Sequence, residues 1–481
     1  MTDAKADKID DSLQDAYCRV RQQFDYSPYP RVPIATSVKA LTHLLFPASL
    51  ATVNYIRDSL FPSETLRDRD AYSRRIVYSE GKQILDVGCG SGLTSLVLAE
   101  ANPGAKIVGI DISQPSIEMA RQRLQYHGFA HAEFHVMGFE QLPQLDRKFD
   151  YINCDETLYL LPDQVAGLKA MRSVLQPDGT IRANLHSFYQ RIEFFRAQKL
   201  TKLLGLMDGT PTEREYAIAK SIMASLQDTV LLKSGTWLPN PTNDEFMQAN
   251  YFLQSDKGFT IPDLFSLLQQ SDLQFVSMVN WKGWDLATLF IQNQTAHPTE
   301  AQKIPEYLAQ FLATATTEQK LHFYELLNPI HRLLDFWCGH PEHVSSVTPT
   351  PIQEWQQPTW ERAKAHLHPV LKTKEIKEKI DRAIAYLKPF NLIEPVESNP
   401  HSVNKAICLR LLWDGVKTGG ELVAEWLKIK PKINLSMRSA ICGNLDSRDL
   451  PLEAIAEIEA FNEVRQTLLD LEADKFVLLE V

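Results

Sequence analysis

Apolar positions along the chain follow two periods, and the switch between them marks the elements. Ile84-Leu85-Asp86-Val87 is a short, nearly continuous apolar run, as expected of a buried strand. Five small residues follow, and then Leu93, Leu96, Val97 and Leu98 recur at helical spacing up to the breaker Asn102-Pro103-Gly104. Ile107–Asp111 reads as a second strand. Ser113 is placed to cap the next helix, with Pro115 in its first turn and Ile117, Ala120 and Leu124 on one face. Phe134-His135-Val136, Phe149–Cys154 and Thr180–His186 are further strand-like runs, the last after the turn Pro177-Asp178-Gly179. Strands alternating with helices of 10–15 residues predict βαβ units and a parallel sheet.

After the fifth strand the regularity lapses. Ser187–Gly258 is long and helix-rich, with aromatics at Tyr189, Phe194, Phe195, Trp237, Phe246, Tyr251 and Phe252. A helix is expected from Thr260 to about Gln270. Two strand-like runs, Leu273–Val279 and Asp285–Ile291, would then close the unit as a hairpin. Gln292–Pro305 is polar and reads as a linker. Beyond it the pattern is mostly helical, as in His322–Trp337 and the lysine-rich, acid-interleaved Trp360–Leu387, with a short strand in Lys475–Val481. Upstream, residues 1–14 read as a solvated tail, Tyr17–Pro33 is broken by prolines, and Leu41–Arg75 has helical periodicity. The expected layout is thus residues 1–81 as tail, strap and helices, 82–291 as the α/β domain with an insertion at 187–258, and 306–481 as a mainly helical accessory domain.

Length and composition narrow the classes. A chain of 481 residues exceeds one ordinary core, so two or three units are expected. The charge of −10 is unlike a general nucleic-acid binder. No run approaches the ~18 apolar residues of a membrane span, and Met1–Asp15 has no signal-peptide core. The six cysteines form no CxxC pair, which predicts reduced thiols and a cytoplasmic protein without a zinc knuckle. His340, Glu342 and His343 near Cys338 fit no familiar metal spacing, and no metal is expected.

The chemistry is concentrated in Asp86-Val87-Gly88-Cys89-Gly90-Ser91-Gly92. Glycines directly after a strand let the backbone turn tightly and approach a ligand closely. The helix that follows offers unpaired N–H groups. Nineteen positions past Gly92, Asp111 ends the second strand, where a carboxylate can accept two hydrogen bonds from a ribose diol. These features describe a nucleoside site. A dinucleotide fingerprint would put a third glycine at position 93, which is Leu93.

The G-x-G-x-G pattern preceded by Asp86 resembles the first motif of class I S-adenosylmethionine-dependent methyltransferases. The resemblance runs from about Lys82 to Ile291. It implies a Rossmann-like, seven-stranded, mostly parallel sheet with S-adenosyl-L-methionine as cofactor. On that basis Gly88, Cys89, Gly90 and Gly92 would cradle the cofactor and Asp111 would hold its ribose. Asp86 would orient the loop, Ile112 would lie against the adenine, and Cys154 would also contact the cofactor. Many members carry an acid after the third strand; here Gly138 stands in its place, so backbone groups of Gly138 and Phe139, or Glu140, would read the adenine edge.

Methyl transfer is an in-line displacement on an activated carbon, so positioning supplies much of the catalysis. A base is needed only for a protonated acceptor. Topology places Asp155, Glu156 and Tyr159 beyond the fourth strand and His186 beyond the fifth, as base or substrate ligands. Neither the Asn/Asp-Pro-Pro-aromatic signature of amino methylation on nucleic acids nor a Pro-Cys nucleophile is present. Tyr17–Arg31, with Ser27-Pro28-Tyr29-Pro30-Arg31, resembles the segment preceding the domain in a group of bacterial proteins, some fused to tetratricopeptide repeats. That group often has His-His where this chain has Tyr159-Leu160. Tyr17, Arg21, Tyr26 and Tyr29 could fold over the cofactor as a lid, or pack as a strap on the sheet edge. The insertion is expected to cover the acceptor, so that trimming residues 205–245 would stop turnover and spare cofactor binding. The expected activity is methyl transfer to a small molecule. A protein acceptor, or a non-catalytic binding protein with the C-terminal region contacting a protein partner, are the alternatives. No nucleic-acid or membrane partner is expected.

Overall fold

The computed structural model describes residues 18–60, 76, 78–238, 243–290, 305–341, 352–392, 401–434 and 452–481. The chain folds into two compact units. One comprises Met1–Ser37, Gly81–Ala99 and Gly104–Glu342; the other comprises Val38–Glu80, Glu100–Pro103 and His343–Val481.

The first unit is built on a seven-stranded sheet. Its strands are β1 (Gln83–Val87), β2 (Lys106–Asp111), β3 (Glu133–Val136), β4 (Phe149–Cys154), β5 (Leu175–His186), β6 (Gln274–Met278) and β7 (Leu333–Gly339), in the order β3-β2-β1-β4-β5-β7-β6. β1 to β5 pair in parallel, and β7 runs antiparallel to both β5 and β6. Ile84, Leu85, Val108, Ile152 and Ile181 are wholly buried. Central parallel strands are covered on both faces, which is why they read as apolar runs rather than alternating ones. Ser113 caps the helix Gln114–Tyr126 through the Ser116 N–H, with Pro115 in the first turn as expected.

The last antiparallel strand is not where the sequence pattern placed it. Residues 281–284 and 286–289 are short 3₁₀ turns. Asp285 accepts from the Ala287 N–H at 2.9 Å, and Thr288 Oγ1 donates to the Asp285 carbonyl at 2.6 Å. Those local bonds compete with a ladder. The vacant position between β5 and β6 is filled by Leu333–Gly339, from the segment expected to be helical. Its helix stops at Leu327. A short run such as Leu333-Leu334-Asp335-Phe336-Trp337 is ambiguous by periodicity, and pairing with β5 along seven residues decides it. The α/β unit therefore extends some fifty residues past the expected boundary at 291.

The insertion after β5 forms the helices Ile192–Leu203, Glu213–Ser225, Leu231–Thr236 and Asp244–Asn250. They enclose a small core of Ala197, Met207, Tyr216, Ala219, Met223, Met247, Tyr251 and Phe252, with Phe194, Trp237 and Phe246 packed against it. Removing residues 205–245 would therefore cut through this core. The expected sparing of cofactor binding on such trimming therefore requires the rest of the unit to fold without this core.

The second unit carries a three-stranded sheet of β8 (Lys364–Leu367), β9 (Lys417–Thr418) and β10 (Val477–Glu480), in the order β10-β8-β9. The expected C-terminal strand is present. Helices Lys374–Tyr386, Val403–Leu411, Gly419–Asn434 and Leu452–Ala473 supply most of the rest. The upstream helices Thr42–Ala48 and Leu50–Leu60 belong to this unit as well. Thr52 Oγ1 meets His368 Nε2 at 2.9 Å, and the Tyr55 hydroxyl accepts from the Leu479 N–H at 3.3 Å. Burial alone lowers the His368 imidazole to about 3. Among the described residues no helix is long and apolar enough to cross a membrane, and no cluster of His, Cys, Asp and Glu could hold a metal ion. Cys18, Cys89, Cys154, Cys338 and Cys408 are free thiols; Cys442, His343, Tyr17 and most of the 292–305 segment lie outside the described residues.

Candidate active site

The glycine turn joins β1 to the helix Leu93–Ala101. Gly90 and Gly92 have φ of +49° and +81°. A Cβ on Gly92 would come within 2.6 Å of Ala120 Cα, and one on Gly90 within 2.4 Å of the Tyr29 carbonyl oxygen, so both need glycine for conformation and for space. The N–H groups of Gly88 and Cys89 donate to the Ile110 carbonyl at 2.8 and 3.0 Å, fastening the turn to β2. Asp111 Oδ2 accepts from the Gly90 N–H at 3.0 Å, and its Oδ1 from the Ser113 N–H at 2.8 Å. Burial raises the Asp111 carboxyl, opposed by these two bonds. Each oxygen retains a further lone pair for a ribose hydroxyl.

Asp86 is wholly enclosed. Its two oxygens accept from Ser95 Oγ at 2.6 Å and Asn153 Nδ2 at 2.8 Å, bracing the turn from beneath. Burial, with the charges of Asp155 and Asp111, lifts its carboxyl to about 6 against those bonds. Cys89 and Cys154 are buried with their thiols pushed up by burial, so these side chains pack in the core. Ile112 is half-buried beside Asp111. Gly138 is occupied at both ends: its N–H donates to Gln141 Oε1 at 3.0 Å and its carbonyl accepts from the Gln141 N–H at 3.1 Å. Those groups cap the 3₁₀ helix Phe139–Leu145 and are spent on it. Phe139 is partly buried against the core, and Glu140 is exposed.

The proline-rich segment lies directly on the turn. Ser91 donates its N–H to the Tyr29 carbonyl at 2.9 Å and its hydroxyl to the Pro30 carbonyl at 2.8 Å. Arg123, fully buried, donates to the carbonyls of Ser91 (2.9 Å), Pro33 (3.0 Å) and Val32 (2.7 Å). It thereby ties strap and turn together. Its signal was visible in the sequence: at three residues past Ala120 it falls on the apolar face of its helix, a placement that demands partners.

At the ends of β4 and β5 a second cluster assembles. Tyr159 donates to Glu156 Oε2 at 2.7 Å and stacks on His186 with ring centroids 3.7 Å apart. His186, wholly buried, meets Asp256 Oδ1 through Nδ1 at 2.6 Å. Asp256 also accepts from Gln198 at 2.8 Å and pairs with Arg191 at 3.3 Å. Arg332 pairs with Glu156, and its Nη1 lies 3.3 Å from His186 Nε2. His186 Nδ1 thus faces the Asp256 carboxylate, and Nε2 lies between Arg332 Nη1 and Glu156 Oε2, the latter at 3.7 Å. Burial pushes the Glu156 carboxyl up, but the His186 bond and the Arg332 charge outweigh it and hold it well below the usual carboxylate range. Burial and the Glu156 charge raise the Tyr159 phenol well above its ordinary value, so it is a donor and not a base. Glu156 itself has φ +53°, an uncommon backbone state held by its N–H bond to Asn184 Oδ1 at 2.9 Å.

Asp155 is drawn elsewhere. It accepts from Asn184 and faces Arg182 at 3.6 Å, while Arg182 makes a two-pronged pair with Asp335 at 3.0 and 2.7 Å. The structure thus brings Glu156, Tyr159 and His186 together and turns Asp155 into a strut. Asp256 and Arg332, 70 and 146 residues from His186, went unnoticed in the sequence because nothing local marks them.

The fold and the turn define the class of this unit, and the comparisons agree. Residues 78–230 match the family model described as a methyltransferase domain. This region is a class I S-adenosylmethionine-dependent methyltransferase domain, and S-adenosylmethionine is its cofactor. An uncharacterised protein of Synechococcus is 26% identical over 57% of this chain and 62% of its own. A ubiquinone biosynthesis O-methyltransferase of Actinobacillus pleuropneumoniae is 34% identical over 21% of this chain and 44% of its own, and a demethylmenaquinone methyltransferase of Geobacillus kaustophilus 31% over 27% and 58%. The chain thus spans less than two thirds of the length of these relatives. The structure of PKMT2 from Rickettsia typhi shares the fold at a TM-score of 0.53 and 13% identity, over 91% of this chain and 76% of that one.

The residues present fit the cofactor. A turn that excludes Cβ atoms, a paired-acceptor carboxylate beside it and the first turn of a helix together offer the donors and acceptors a nucleoside and an amino-acid tail require.

Proposed function

We propose that the first unit transfers a methyl group to a small-molecule acceptor bound at the ends of β4 and β5. The observation that carries this is the buried His186–Asp256 pair, whose second nitrogen, Nε2, faces the partly exposed Glu156–Arg332 pair in the same unit as the glycine turn. S-adenosylmethionine supplies the methyl group on a sulfonium, so the protein has only to prepare and aim the nucleophile. Gly88, Gly90 and Gly92 would cradle the tail and ribose, with Asp111 on the ribose; Asp86 braces the turn, and Ile112 flanks the base.

At the acceptor end, Asp256 holds His186 with Nε2 as an acceptor. An incoming hydroxyl that displaces Arg332 from Nε2 would lose its proton there. Arg332 would then face the developing oxyanion, and Tyr159 keeps Glu156 in place. The names of the quinone-biosynthesis relatives favour a small hydroxylated acceptor over a protein.

The test is to incubate the full chain with methyl-labelled S-adenosylmethionine and, in parallel, a panel of hydroxyaromatic small molecules and a panel of proteins, scoring S-adenosylhomocysteine and labelled product. His186→Ala should retain S-adenosylhomocysteine affinity and lose turnover by roughly 10²–10⁴-fold. Label found only on added proteins would overturn the small-molecule reading.

A further inference from the structure

The second unit holds a cavity of about 330 Å³ whose walls come from its own segments. That volume falls at the lower end of the range of small-molecule pockets, roughly 300–1,000 Å³. Ala51, Pro103, Pro369, Leu412 and Val416 give it apolar walls. Polar side chains along these walls are partly spent on the fold. Asn102 Oδ1 accepts from the Leu50 N–H and its Nδ2 donates to the Ala48 carbonyl, both at 2.8 Å. Ser79 Oγ donates to the Pro103 carbonyl at 2.8 Å.

The Tyr78 hydroxyl and the Lys372 ammonium are left to meet an occupant. His366 and Glu480 share one face of the β8–β10 pair, since Leu478 stands opposite His366 and Glu480 opposite Lys364. The buried His366 meets Glu480 Oε2 through Nε2 at 2.9 Å and the Tyr78 hydroxyl through Nδ1 at 3.2 Å. Facing a carboxylate, Nε2 carries the proton. Burial lowers the imidazole from its ordinary value, which favours the neutral ring. Nδ1 is then an acceptor, and Tyr78 donates to it. The phenol oxygen keeps only lone pairs for the cavity, so what binds it must be a donor. Lys372 is an exposed cation that forms no ion pair among the described residues. Glu80, also exposed, lies on the same lining.

We infer that this cavity is a second small-molecule site, which takes a compact carboxylate with an apolar or aromatic body and one O–H or N–H donor. Lys372 holds the carboxylate, Tyr78 accepts from the donor, and the aliphatic walls cover the body. A single lysine with Glu80 on the same lining suits one negative charge better than a phosphate dianion. The inference is independent of the methyl-transfer reading, because none of these residues belongs to the first unit.

The experiment is a calorimetric titration of the full chain with 4-hydroxybenzoate, benzoate and 4-hydroxybenzyl alcohol, which carry both groups, the charge alone and the hydroxyl alone. 4-Hydroxybenzoate should bind at about 1 mM or tighter, ahead of the other two. Lys372→Ala should weaken it about fivefold or more. Val416→Trp should fill the cavity from its exposed side and abolish binding, and Tyr78→Phe should bring 4-hydroxybenzoate level with benzoate. Lys372 and Val416 are both exposed, so neither change disturbs a core. Melting curves check the folding of each variant, and Lys372→Ala carries the test if Val416→Trp is unfolded. Absence of binding to the wild type at about 10 mM overturns the inference. So does binding that a folded Lys372 or Val416 variant leaves unchanged, or a preference for 4-hydroxybenzoate over benzoate that survives Tyr78→Phe.

Discussion

The two ends of the site are made in different ways. The nucleoside end is built from backbone: one glycine turn, the neighbouring strand end, and an aspartate 21 residues from Gly90. The proposed acceptor end is built from side chains on four separated segments, with His186 meeting Asp256 at a separation of 70 residues and Glu156 meeting Arg332 at 176. A backbone site tolerates change poorly at its glycines, and here it also leans on the strap, whose Tyr29 and Pro30 carbonyls accept from Ser91. A side-chain site depends on each long-range partner and on how fully it is buried.

That contrast breaks most readily at Asp256. Asp256→Ala would leave His186 and the Arg191 charge buried without their partner, at a cost of about 3–5 kcal/mol in urea unfolding. A loss below 1 kcal/mol would mean the acceptor end does not depend on buried long-range pairing.

Asp86 tests the turn. Its folded carboxyl is raised to about 6 from an ordinary 3.8, so the folded state holds its proton more firmly than the unfolded chain does. The contribution is therefore fully present below pH ~4 and is lost as pH rises to ~6. Asp86→Asn should gain up to about 3 kcal/mol at pH 7, and the two proteins should converge in stability below pH ~4. Parallel stability curves from pH 4 to 7 would contradict it.

A smaller effect, on affinity, is expected at Asp111. Asp111→Ala removes a charge-assisted double acceptor, about 2–3 kcal/mol or roughly 30–150-fold in S-adenosylhomocysteine affinity by calorimetry. Unchanged affinity would remove the ribose assignment. The smallest expected stability change is at Arg332, whose side chain is 47% exposed. Arg332→Ala should alter stability by under ~1 kcal/mol while lowering turnover, and full turnover would detach the Glu156–Arg332 pair from catalysis.

The parallel strands, the glycine turn and Asp111 were legible in the sequence because each is a local pattern: apolar runs, breakers, and residue types at fixed short spacing. The same holds for the capped helix after β2. The final strand was not legible, since Leu333–Gly339 is a short apolar run and its state depends on the edge it finds. Nor was the role of the aromatics in the insertion, most of which fill that insertion's own core. Gly138 illustrates a third kind of gap: its backbone groups were expected at the adenine and are taken by Gln141, three residues on.

By itself the sequence determined a parallel α/β unit with a nucleoside turn and the cofactor class, because backbone geometry and near-neighbour spacing are written in residue order. Only the tertiary structure decided which strand completes the sheet, that the proline-rich strap is bonded to the turn through Ser91 and Arg123, and that His186 is paired with Asp256. Those outcomes depend on burial and on contacts between residues far apart in the chain, where the energy of a pairing exists only once both partners have been brought together.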